Sequence, residues 1–233
     1  MTFVVQLDGV VFDTAEAFYE AHRRAAGEVG WSTLDQRTFW RMTRKQGGEA
    51  NFLRGAKPPK QAAYTARFVE ALETDEVITR LHPHDGIRAL LADLAARGSV
   101  VGVTLASNLE RRLAILDESK LAGAFTDQPR RAGGSARVHT LDPDPRRRPE
   151  QIRVLADGDA RAIVVAASEV IVRSASAAEM FTVGIASGDC SDERLHQAGA
   201  TIVYRTLAGL VESLQSGGQD LIRVGLLPPP LDG

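Results

Sequence analysis

The residues best placed for chemistry lie where apolar runs give way to turns. Phe3 to Leu7 is a short, β-branched apolar run ending in Asp8-Gly9, the pattern of a buried strand that delivers its last residues to a turn, so a site can sit at that tip. A second strand-like run, Val100 to Ala106, leads into Ser107 and Asn108, where a further helical pattern begins. Either polar residue serves there as a helix N-cap, and the exposed N–H groups of a helix start also bind anions. Between Arg37 and Lys60 stand seven basic residues against one acidic, Glu49, with Arg44 and Lys45 at the centre. Such a run suits a phosphorylated ligand, an acidic protein or nucleic acid bound without sequence preference, or it is a solvated face. The five histidines are scattered, His82 and His84 falling on opposite sides of a strand-like pair, and the single Cys190 excludes a disulfide framework or a cysteine-based zinc cluster.

The elements that must position these residues alternate. Apolar runs at Val100 to Ala106, Ala162 to Ala166, Thr182 to Ile185 and Thr201 to Tyr204 are each followed by a helical pattern. The expectation is an α/β fold, a Rossmann-like parallel sheet with ligands beyond the carboxyl ends of its strands. From Thr14 to about Arg80 the pattern is helical without strand-like alternation, which predicts an inserted α-helical cap over residues 14–80 and a core over residues 1–13 and 81–216. Gln128 to Arg148, with two glycines, three prolines and six arginines, reads as a long loop with one short strand. The tail, residues 217–233, is apolar and ends in Pro228-Pro229-Pro230, which cannot be helical and is expected to cover its own domain. A net charge of -2 gives no overall reason to expect nucleic acid or an anionic membrane, and no stretch approaches the ~20 apolar residues of a span. A soluble, cytoplasmic protein is expected.

Val4-Val5-Gln6-Leu7-Asp8-Gly9-Val10-Val11-Phe12-Asp13-Thr14 resembles the first motif of the haloacid-dehalogenase (HAD) superfamily, an apolar strand followed by Asp-x-Asp-Gly-Thr-Leu-x-Asp-Ser. The resemblance extends through the helical insertion, the Pro-x-x-Gly of Pro83 to Gly86 and the later repeats, and points to the phosphoglycolate-phosphatase-like branch. It implies that the first aspartate attacks phosphorus and the second works as acid and base, and here the first position is Gln6. A carboxamide is a poor nucleophile and brings no charge to Mg²⁺. Asp8 matches the acid/base, but without a nucleophile its expected role is to accept backbone N–H bonds in the turn. Ser107 fits the second motif, which holds a phosphoryl oxygen. In the third, Asp142 stands where the family has a lysine, and in the fourth Ala167 and Ile171 stand where it has acids, leaving only Glu169 nearby.

These changes remove charges that phosphoryl transfer uses. The expectation is a pseudoenzyme with no magnesium site, holding a small anionic or phosphorylated ligand, or a protein partner, through Asp8, Ser107, Asn108, Arg44 and Lys45. The alternatives are an active phosphate-monoester hydrolase resembling phosphoglycolate phosphatase and a scaffold that exposes the tail and the arginine loop.

Overall fold

In β1 (Thr2–Gln6) every residue is buried, with Phe3 and Val5 in one apolar cluster and Val4 in another. A strand with a core on each side belongs in the middle of a sheet covered on both faces. The computed structural model describes residues 1–46, 52–53, 55–125 and 137–223. In chain order they form β1, β2 (Phe12–Asp13), α1 (Ala15–Glu28), α2 (Gln36–Gln46), α3 (Pro58–Leu72), α4 (Asp75–Ile78), β3 (His82–Pro83), α5 (Ile87–Arg97), β4 (Ser99–Thr104) and α6 (Leu109–Glu118). Then follow a 3-10 turn (Ala122–Phe125), β5 (Val138–Thr140), α7 (Arg148–Leu155), β6 (Ile163–Ala166), α8 (Glu169–Ala177), β7 (Phe181–Ile185), α9 (Asp192–Gln197), β8 (Ile202–Tyr204), α10 (Leu207–Gln215) and α11 (Gln219–Arg223).

The main sheet runs β5-β4-β1-β6-β7-β8, all parallel, so the α/β expectation holds. The order reverses at β1, whose carboxyl end therefore opens on the crevice where such sheets bind ligands. An antiparallel pair, β2 with β3, forms the neck from which the helical insertion rises. Within the insertion α1 packs on α3 around an aromatic centre of Phe39, Phe52 and Tyr64. His22 is buried in the same centre. Its Nε2 accepts from Leu34 N at 3.0 Å, so the proton sits on Nδ1, which donates to Tyr64 Oη at 2.8 Å.

Three expectations need correction. The strand expected to run to Ala106 ends at Thr104, because Thr104 Oγ1 accepts from Ala106 N at 3.0 Å and turns the chain. The arginine-rich segment, expected as loop to Arg148, enters α7 there, with Pro149 in the first turn where a missing N–H costs nothing. Residues 126–136 of that segment lie outside the described residues. The tail is not extended from Gly217. It opens with α11, held by a Tyr204, Ser213 and Asp220 hydrogen-bond triangle, with Leu221 buried in the core. The proline run lies outside the described residues. Among them no helix is long and apolar enough to cross a membrane.

Candidate functional site

At the carboxyl end of β1 the chain turns back on itself through Gly9, whose φ of +96° suits glycine. A Cβ there would also stand 3.0 Å from the Ala167 Cβ, and one on Gly188 would stand 3.2 Å from it. Ala167, fully buried, is thus wedged between two glycine loops. Gln6 ties the same loops together. Its Oε1 accepts from Ala167 N at 2.9 Å and Ser168 N at 3.1 Å, while its Nε2 donates to Asp8 O at 2.5 Å. Both ends of the carboxamide are occupied, so Gln6 is a brace between β1 and the start of α8. Gln6→Ala, which leaves two buried amides without an acceptor, should lower stability by about 2 kcal/mol in urea unfolding.

Asp8 does not take the turn-capping role expected of it. Its carboxylate accepts from Thr104 Oγ1 at 2.5 Å and from Arg112 Nε at 3.1 and 3.3 Å. Arg112 projects from α6, with only 5% of its side chain exposed, and its Nη1 donates to Glu73 Oε2 and to Asn108 O. Glu73 closes α3, in the insertion, and reaches down to the core. Its two oxygens accept from Ser107 N at 3.2 Å and Asn108 N at 3.0 Å. The helix start expected to meet an external anion therefore carries the chain's own carboxylate. Asn108 caps α6 as expected, accepting from Arg111 N, whereas Ser107 is exposed and Thr104 holds the strand tip. Thr104, Arg112 and Glu73 complete the constellation and were not anticipated.

The remaining expected positions are quiet. Asp142 Oδ1 accepts from Asp144 N in its own turn, and Oδ2 lies 3.7 Å from the exposed Arg147. Ala167 and Ile171 are fully buried among apolar neighbours. Glu169 pairs with Arg194 and Arg173. Burial works to raise its carboxyl, but the two guanidiniums outweigh that and hold it below the ordinary range. A hard divalent cation needs several oxygens with free lone pairs. Here the Gln6 oxygen serves two amides and Asp8 and Glu169 each face a guanidinium, so the donor set does not fit Mg²⁺. No cluster of three or more histidine, cysteine or acidic side chains suited to a metal occurs among the described residues.

Beside this centre, between insertion and core, lies a cavity of about 560 Å³. Its walls are the starts of α1 and α2, the face of α2 bearing Trp40 and Arg44, and the loop at Ser187 and Gly188. Asp35 Oδ1 accepts from Thr38 N, and that bond holds its carboxyl below the ordinary range. The Arg44 guanidinium meets only neutral partners among the described residues, namely the carbonyls of Gly188 and Ser187 and the Trp40 ring. Trp40 Nε1 and Ser187 Oγ are buried without a hydrogen-bond partner among the described residues. Arg37 also lines the cavity, while Lys45 does not. The five residues expected to share one ligand site are thus divided: Asp8 and Asn108 belong to the buried ion network, the Ser107 amide joins them, Arg44 faces the cavity, and Lys45 is exposed.

No protein-family model matches the sequence, and no curated protein is similar to it. Solved structures are similar over nearly their whole length. A haloacid-dehalogenase-like hydrolase from Streptococcus pneumoniae superposes with a TM-score of 0.69 at 13% identity, covering 92% of this chain and 98% of that one. A predicted phosphatase from Clostridium acetobutylicum gives 0.65 at 19% identity, over 92% and 98%. A predicted phosphoglycolate phosphatase from Haemophilus somnus gives 0.61 at 13% identity, over 91% and 96%. The fold is that of HAD-like hydrolases and phosphatases.

Proposed function

We propose that this chain is a member of the HAD superfamily that has given up phosphoryl transfer and binds a small anionic or phosphorylated ligand in the cavity between its helical cap and its core. The observation that carries the reading is the commitment of the strand tip. A nucleophile must present a free lone pair to phosphorus, yet Gln6 offers a carboxamide whose oxygen already accepts two buried N–H bonds. An acid/base must exchange protons with the substrate, yet Asp8 is closed in by Arg112 and Thr104. No residue at the third or fourth motif position supplies the lost charge, and the donor set argues against a magnesium requirement.

Support for a ligand comes from the cavity. Trp40 and Ser187 line it, and the Trp40 ring lies beneath the Arg44 guanidinium. Arg44, with neutral partners only among the described residues, supplies positive charge for a carboxylate or phosphate, and Arg37 adds to it. Titration calorimetry with inorganic phosphate and small phosphate monoesters should detect binding that Arg44→Met weakens about tenfold, the loss of one charge-assisted contact. Hydrolysis of p-nitrophenyl phosphate with Mg²⁺ should not exceed that of an Asp8→Asn variant. Turnover that Asp8→Asn abolishes would replace this reading with a working phosphate-monoester hydrolase.

A further inference from the structure

The cap touches the core at two places of different character. On the cavity side the ties are mostly to backbone: Arg44 to the carbonyls of Ser187 and Gly188, Ser191 N to Arg44 O at 3.3 Å, and Arg194 Nη1 to Thr43 O at 2.9 Å. On the α6 side they are ionic. Glu73, the residue that ends α3, lies against Arg112 at 3.3 Å and accepts both amides at the start of α6, and Arg112 in turn grips Asp8. A second pair, Arg111 with Asp75 at 3.0 Å, lies just outside it, with 39% and 72% of the side chains exposed.

We infer that Glu73 is a latch that holds the cap shut on the core, and that the closed form is the resting form of this protein. The reasoning is local. Opening the cap must withdraw Glu73 from two N–H donors and a guanidinium at once. Arg112, 5% exposed, would keep Asp8 as its only carboxylate among the described residues. A charge-assisted set of this kind resists opening far more than an exposed pair such as Arg111 with Asp75, which salt and water screen. This holds whether or not the cavity takes the ligand proposed above.

The distance between cap and core tests it directly. Val69 on α3 and Val154 on α7 are exposed, and the native Cys190 is buried with its thiol pushed up to about 11 by burial, so nitroxide labels attach selectively to V69C and V154C. In the otherwise native chain, pulsed electron paramagnetic resonance should give one narrow distance. Glu73→Gln, which keeps the shape and removes the charge, should add a longer population at least tenfold larger than in the parent. Asp75→Asn should leave the distribution unchanged. The idea is overturned if Glu73→Gln and Glu73→Ala, both shown to be folded by circular dichroism, keep the parent distribution, or if Asp75→Asn opens the cap as far as Glu73→Gln does.

Discussion

Arg112→Met is expected to lower the unfolding free energy by about 4 kcal/mol, measured in urea at neutral pH. The side chain it replaces is 5% exposed and stands between two carboxylates, Asp8 at 16% exposure and Glu73 at 23%. Methionine fills much the same space but answers neither charge, so two partly buried anions are left beside each other. The cost comes mainly from those stranded partners rather than from the lost attraction, and that distinction is measurable. In Asp8→Asn with Arg112→Met, one of the anions is gone, and more than half of the lost stability should return. A single-variant loss below about 1 kcal/mol, or a double variant no better than the single, would show the network to be ordinary surface charge.

The second large effect is a loss of stability in acid, centred on the cap. Burial pushes His22 down from 6.5 to about 4 in the folded chain. The unfolded chain therefore binds more protons between those two values, and stability falls as pH drops from about 6.5 to about 4, then levels off for this group. The full shift corresponds to about 3 kcal/mol. Folding also depends on the neutral ring in a specific tautomer, since Nε2 accepts from Leu34 N while Nδ1–H faces Tyr64. Unfolding free energies from urea titrations across this range should fall about 1.4 kcal/mol per pH unit more steeply in the parent than in His22→Gln, which carries no proton to titrate. Equal slopes in the two proteins would mean that His22 takes up its proton without unfolding the cap.

Much of the architecture was legible because a parallel sheet writes itself as apolar runs. Val4-Val5, Val100-Val101, Val164-Val165 and the stretch to Ile185 are all buried, and periodicity alone finds them. The helical insertion was legible for the complementary reason, since nothing between Thr14 and Arg80 alternates as a strand does. The tip of β1 was legible too, through Gln6 and Asp8. What the sequence did not reveal is what Asp8 touches. Arg112 sits in a charged pair with Arg111, and adjacent arginines on a helix usually both face water. A signal did exist: Arg112 and Leu116 stand four residues apart and share the buried face of α6. Glu73 left no such trace. Its partners are 34 to 39 residues away, and only the packing of the insertion on the core brings it to them.

The wedge of Ala167 between Gly9 and Gly188 bears on which side chains this strand tip can accept. An acidic side chain at 167 needs room where the Ala167 methyl already fills the space that either glycine leaves free. It would also sit beside the two amides that Gln6 braces, so substitutions at 6 and 167 are expected to disturb each other. Gln6→Asp shortens the brace, and Ala167→Asp forces the loops apart, while Arg112 continues to hold Asp8 in either case. Acidic residues at either position are therefore expected to lower stability, and the small side chains at this strand tip keep its two loops in register.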